Sequence, residues 1–118
     1  MRMWMIDPKI MCRKHLMGEH LECHMFLGSI RNNKKLDGFV EKNCLEFKNL
    51  KKRHDEIITE MQLRGYTHKS PLKFDQKKYL NKYPPKIINS IVDKEKSIKD
   101  LLSRCHECFF RCEKIMNG

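Results

Sequence analysis

Apolar residues recur at three- and four-residue intervals in three stretches of this chain, and nowhere do five or more residues alternate as a half-buried strand would. That regularity confines the fold to packed helices. The first stretch opens at Asp7-Pro8, an N-cap followed by proline at the first helical position, and runs to about Gly28. The second takes Asn43 as cap with Glu46 three residues on, and ends at Arg64-Gly65, where glycine supplies a left-handed terminus. The third carries Ile87, Ile88, Ile91, Val92, Ile98, Leu101 and Leu102 toward the core. Residues 31–44, with Asn32-Asn33 and Asp37-Gly38, read as an irregular connection. Residues 66–86, with Pro71, Pro84, Pro85 and many lysines, read as a long surface connection. At 118 residues the chain has room for one domain. The expectation is therefore all-α: a compact single-domain bundle of about three main helices with long loops over residues 1–118.

Two helix faces carry chemistry. At about 100° per residue, Ile10, Met17, Leu21 and Met25 form an apolar face on the first helix. Cys12, His15, Glu19, Glu22 and Phe26 form a stripe on roughly the opposite side. Carboxylates and imidazoles aligned in this way either line a site or form a solvated face. On the second helix, Phe47, Leu50, His54, Ile57, Ile58 and Met61 share one side, with His54 read as a hydrogen-bonded core histidine. Its cations Lys48, Lys51, Lys52 and Arg53 precede the anions Asp55, Glu56 and Glu60, which opposes the helix dipole. Cations beside free backbone N–H groups suit a phosphate; the same run is also what a solvated basic face looks like.

Lys and Arg number 25 against 15 Asp and Glu, a formal net charge of +10. The excess excludes an acidic scaffold and points to a polyanionic partner, nucleic acid first and an anionic membrane second. No apolar run approaches the ~20 residues that span a bilayer, and the mean hydropathy of -0.69 agrees. Asp7-Pro8 interrupts any secretory pattern, so the expectation is a soluble intracellular protein with no membrane partner. Its six cysteines are then expected as reduced thiols. Cys105, Cys108 and Cys112 with His106 offer the donor set of a structural zinc site. Their spacing is equally that of small apolar residues on one helix face, and buried free thiols, with no metal or other cofactor, are the reading adopted.

Lys14-His15-Leu16-Met17-Gly18-Glu19-His20-Leu21-Glu22, preceded by Met1-Arg2, resembles the start of the phage-type pyrimidine-dimer DNA glycosylases, the endonuclease V family of ultraviolet repair. Leu50-Lys51-Lys52-Arg53-His54 through Leu63-Arg64-Gly65-Tyr66 resembles that family's second long helix, in the same order. The resemblance covers roughly residues 1–30 and 45–70 and ends near residue 72. It implies a repair glycosylase with coupled abasic-site lyase activity, acting without a cofactor, as a monomer, on double-stranded DNA carrying a damaged base. The nucleophile in such enzymes is the α-amine of the chain, which forms an imine with the sugar C1′. An α-amine titrates near 7.7–8.0 against about 10.4 for a lysine, so a useful fraction is neutral at physiological pH. By position, Met1 would supply that amine and Glu22 the catalytic carboxylate. Arg2, His15, His20, His24, Lys51, Lys52 and Arg53 would contact DNA, chiefly its phosphates. Trp4, with Met3, Met5 and Ile6, would anchor the terminus, since a nucleophile on a frayed end is useless.

The departures bear on the substrate. The family has arginines where this chain has Leu21 and Met25, and Phe109 and Phe110 are the nearest aromatic candidates for stacking. Cyclobutane pyrimidine dimers are the default lesion, with another damaged or modified base as the alternative. Composition alone supports a different class, a basic helical nucleic-acid-binding module without catalysis. An N-terminal acetyl group separates the two, because only the α-amine enzyme is disabled by it.

Overall fold

The computed structural model describes residues 1–67 and 70–118. It is all-helical: α1 Arg13–Arg31, α2 Asp37–Glu41, α3 Leu50–Leu63, α4 Pro85–Ile88, α5 Lys94–Arg104 and α6 His106–Asn117. Short 3-10 turns at Pro8–Ile10, Phe47–Asn49 and Gln76–Tyr79 join them, and the described residues contain no strand. No helix among them is long and apolar enough to cross a membrane.

The long pair α1 and α3 forms the centre of the molecule. Leu16, Cys23, Phe26, Leu27 and Ile30 of α1 meet Leu50, Ile57 and Met61 of α3, and all are buried. Phe26 also takes the edge of Phe39 at 5.1 Å, which seats α2 against the bundle. The second helix ends where its sequence indicates, with Gly65 at φ +81°, a conformation that strains any residue bearing a Cβ. It starts later than its sequence suggests. Asn43 lies at φ +62° and exchanges two hydrogen bonds with the Asp93 backbone, at 3.0 and 2.6 Å. The Glu46 carboxylate accepts from the Val92 N–H at 3.0 Å rather than closing a capping box.

The first helix differs in start and in facing. Asp7 caps only the 3-10 turn, accepting from the Lys9 N–H, and the α-helix begins after Cys12, whose sulfur caps it. The inward face carries Leu16, Glu19, Cys23 and Phe26, while Met17, Leu21 and Met25 point outward, Leu21 with 60% of its surface exposed. Leu16, Cys23, Phe26, Leu27 and Ile30 make this the more apolar face, and Glu19 is buried among them because α3 brings it a cation. The connection after α3 has only one short turn in its described part, as its prolines and lysines suggest; residues 68 and 69 of it lie outside the described residues. The third stretch is broken once, and a further helix follows it. Asp93 caps a fresh helix by accepting from the Lys96 N–H, leaving Ile91 exposed, and Cys105 ends α5 while capping α6. The all-α bundle expected from the sequence is found, with four long helices among the described residues. Removing the Asp93 cap with Asp93→Ala is expected to cost about 1 kcal/mol in urea unfolding; a change below about 0.3 kcal/mol would show that the Asn43 contact, not the cap, sets the α5 start.

Candidate active site

The first six residues are tied to the body of the molecule by hydrogen bonds and by burial of Met3, Trp4 and Ile6. The Met3 N–H donates to the Cys44 carbonyl at 2.7 Å, and the Ser97 hydroxyl donates to the Trp4 carbonyl at 2.6 Å. Met3, Trp4 and Ile6 are buried, and Met5 between them sits at φ +56°, a left-handed conformation that a residue with a Cβ adopts only when its neighbours are fixed. The Arg2 guanidinium pairs with the Asp100 carboxylate of α5 and stacks on Trp4, 3.8 Å from the ring centre. The expected anchoring by Trp4 and its apolar neighbours is found, with α5 as the principal support.

This segment delivers its end to Glu22. The half-buried Glu22 carboxylate accepts from the Arg2 backbone N–H and lies in the fields of the Met1 amine, Glu19 and Arg2. Burial pushes its pKa above the ordinary glutamate value, against the pull of the Met1 charge and the Arg2 N–H. A primary amine and a carboxylate of raised basicity thus stand together on the surface of α1. That pair can perform nucleophilic addition with proton transfer.

Beneath it lies a buried ion pair. Arg53, only 1% exposed, meets Glu19 with both arms of its guanidinium, Nε to Oε2 at 2.6 Å and Nη2 to Oε1 at 2.9 Å. Its Nη1 also donates to the Ile6 carbonyl at 2.6 Å, so one side chain of α3 ties α1 to the N-terminal segment. Arg53 is therefore not among the outward-facing cations where its sequence run placed it. Helical rotation separates it from Lys51 and Lys52, which are exposed; Lys51 pairs with Asp55 at 2.8 Å.

The histidines fall into two groups. His20, His24 and the fully buried His54 cluster between α1 and α3, with ring centres 4.8–5.0 Å apart. The Nε2 atoms of His24 and His54 are 3.1 Å apart, each within 3.2 Å of the Ser70 carbonyl, and Asp55 meets His54 Nδ1 at 3.0 Å. His54 is the hydrogen-bonded core histidine its position suggests, while His20 and His24 are directed into this cluster. His15 turns elsewhere. Its Nδ1 lies 3.2 Å from Cys12 Sγ and 3.8 Å from Cys108 Sγ, and Trp4 takes its ring edge-on at 5.9 Å. Burial, then the charge of Lys14, lowers its pKa, which favours a neutral imidazole over a phosphate-binding cation at pH 7.

Among the described residues, two sets of side chains have the donor atoms to hold a metal: His20, His24 and His54, and Cys12, His15, Cys105 and Cys108. In each, the ligand atoms all lie within 4.8 Å of one another. The second set keeps Cys105 and Cys108 of the sequence candidates but replaces the other two. Cys112, one turn beyond Cys108, is not part of the group, and His106 is exposed with its ring 6.3 Å from Phe110. The omitted residues were visible as a second short pair, Cys12-x2-His15, matching Cys105-x2-Cys108 from the other end of the chain.

The fold is all-helical and brings the terminal amine to a glutamate on its longest helix. A family model described as pyrimidine dimer DNA glycosylase matches residues 1–74, and the chain belongs to that family. Its substrate is accordingly DNA. No curated protein and no solved structure matches the chain. The matched span holds α1, α2, α3 and the whole amine–carboxylate arrangement, while α5, which supports the N-terminal segment, lies beyond it.

Proposed function

We propose that this protein excises ultraviolet-induced pyrimidine dimers from double-stranded DNA and then cuts the strand, as a monomer, with the Met1 amine as nucleophile and Glu22 as its acid–base partner. The observation that carries this reading is the Glu22 carboxylate held on the Arg2 backbone N–H beside the Met1 amine. The neutral amine adds to C1′ of the damaged nucleotide as the glycosidic C–N bond breaks and the base departs with the bonding pair, taking a proton. The nitrogen lone pair then opens the sugar ring: the C1′–O4′ bond breaks, O4′ leaves with the bonding pair and takes up the second amine proton, and an imine to C1′ remains. The imine acidifies C2′, Glu22 removes a proton there, and β-elimination expels the 3′ phosphate. Hydrolysis returns the amine. Each step uses a group already in place, and splitting the reaction through a covalent intermediate lowers both barriers. Lys51 and Lys52 supply exposed cations for phosphate contact.

The second reading, a relative acting on another damaged or modified base, draws on α1 itself. Leu21 and Met25 are 60% and 46% exposed on the helix that carries Glu22. Apolar side chains there would press on sugars and bases where arginines would grip phosphates. Borohydride trapping on irradiated, abasic and undamaged duplexes separates the readings. An adduct with irradiated DNA mapped to the Met1 amine is expected. An adduct with abasic DNA alone would retain the amine chemistry and remove the dimer. Acetylating the α-amine, or extending the chain before Met1, is expected to abolish trapping while leaving binding to undamaged DNA within about twofold, since phosphate contacts set nonspecific affinity. Undiminished trapping by the blocked chain would assign the nucleophile to a lysine instead.

A further inference from the structure

We infer that Cys12, His15, Cys105 and Cys108 form a structural zinc site that clamps the start of α1 to the junction of α5 and α6. The argument begins with geometry. A tetrahedral zinc ion with bonds of about 2.3 Å to sulfur and 2.0–2.1 Å to nitrogen sets its ligand atoms about 3.5–3.8 Å apart. Here Cys12 Sγ lies 3.7 Å from Cys105 Sγ and 3.2 Å from His15 Nδ1, and Cys108 Sγ lies 3.8 Å from the same nitrogen. All four atoms fall within 4.8 Å of one another. Three of the separations already match a tetrahedral edge to within a few tenths of an ångström, and the others need close by no more than about 1 Å.

The two halves of the site are built alike. Cys12 caps α1 and accepts from the His15 N–H at 3.5 Å; Cys105 caps α6 and accepts from the Cys108 N–H at 3.5 Å. Each ligand pair is therefore a cap and the residue three positions on, converging from two separate helix N-termini. A third backbone donor, the Cys12 N–H, reaches Cys108 Sγ at 3.2 Å. Thiolate ligands carry negative charge, and helix N-termini with N–H donors aimed at sulfur are suited to hold it. Cys112 has no place in this set, and Cys23, buried in the α1–α3 core, lies apart from it. Two of the ligands come from beyond the span that matches the family, so the metal would join the added C-terminal helices to the shared part. It would also fix Nδ1 of His15, leaving that residue a scaffold ligand and not a DNA contact.

The test uses the full, untagged chain. Purified under reducing conditions, it is expected to carry one zinc per chain by plasma mass spectrometry. After removal of zinc, titration with Co(II) should give the visible bands of a tetrahedral thiolate–imidazole centre, saturating at one equivalent. Cys12→Ser and Cys105→Ser should lose the bands, and Cys112→Ser and His106→Ala should keep them. His15→Cys should bind one equivalent with bands shifted toward those of a four-thiolate centre. Should Cys12→Ser fail to fold, zinc-dependent protection of Cys12, Cys105 and Cys108 from alkylation, mapped on the wild-type chain, decides the same ligand set. A folded, reduced chain that binds zinc below one equivalent would overturn the inference. So would bands that survive in Cys12→Ser and vanish in Cys112→Ser, which would move the metal onto α6 alone.

Discussion

Glu22→Gln is expected to lower the single-turnover rate on irradiated duplex DNA by about 10²–10⁴-fold, the usual contribution of a positioned acid–base group. The amide keeps the size of the carboxylate and can still accept from the Arg2 backbone N–H, so the loss isolates proton transfer. Stability should move the other way. Burial raises the pKa of Glu22 in the folded chain, so its ionised form is disfavoured there relative to the unfolded chain. A raised pKa gives stability that is full below the unfolded value and lost as the pH rises through the folded one. At neutral pH the variant should therefore melt at or slightly above the wild-type temperature. The same shift should place the acidic limb of the wild-type pH–rate profile above the range of an ordinary glutamate, because the carboxylate must be ionised to take the C2′ proton. A variant that loses both activity and melting temperature would mark Glu22 as a structural carboxylate, and the acid–base assignment would fall.

Arg53→Met should cost about 3–5 kcal/mol in urea unfolding, because it leaves the Glu19 carboxylate buried without its cation. Glu19 is fully buried and bound by both arms of the guanidinium, so water cannot readily replace the lost partner. The Ile6 carbonyl loses its donor as well. Pairing the change with Glu19→Leu removes the stranded charge and should recover more than half of the loss, a coupling that a double-mutant cycle reads directly. Since domains of this size are stable by about 5–15 kcal/mol, the single variant should lie near the edge of folding at 37 °C. A single-variant cost below about 1 kcal/mol would mean that the pair is solvated and that other contacts hold the terminus.

Much of this fold is written in short-range pattern. The apolar face and glycine end of α3 follow from periodicity and one left-handed residue, and the anchoring of the N-terminus follows from Trp4 and its neighbours. Periodicity misread α1 because it passed over Leu16, Cys23, Leu27 and Ile30 and because one buried charge interrupts their face. A hydrophobic wheel scores Glu19 as polar and Leu21 as apolar, and it cannot register that Arg53, 34 residues away, neutralises the former. The same limit hid the thiol cluster, whose two halves are separated by 93 residues between Cys12 and Cys105. Met1, Arg2 and Glu22 were recognisable only because a family resemblance joined them; nothing in their spacing announces that the chain folds back to meet α1. The break at Asp93 was available as a capping residue before a polar turn, and a continuous apolar count obscured it.

The border of sequence similarity at residue 74 is not a border of cooperativity. Ser97 and Asp100 of α5 brace Trp4 and Arg2, which follow the proposed nucleophile, so the outer helices act as the vice in which the chain's first residues are gripped. A lineage that shares only the first 74 residues must grip that end by other means, and swapping C-terminal segments between relatives would retune the position of the amine without touching a single shared residue.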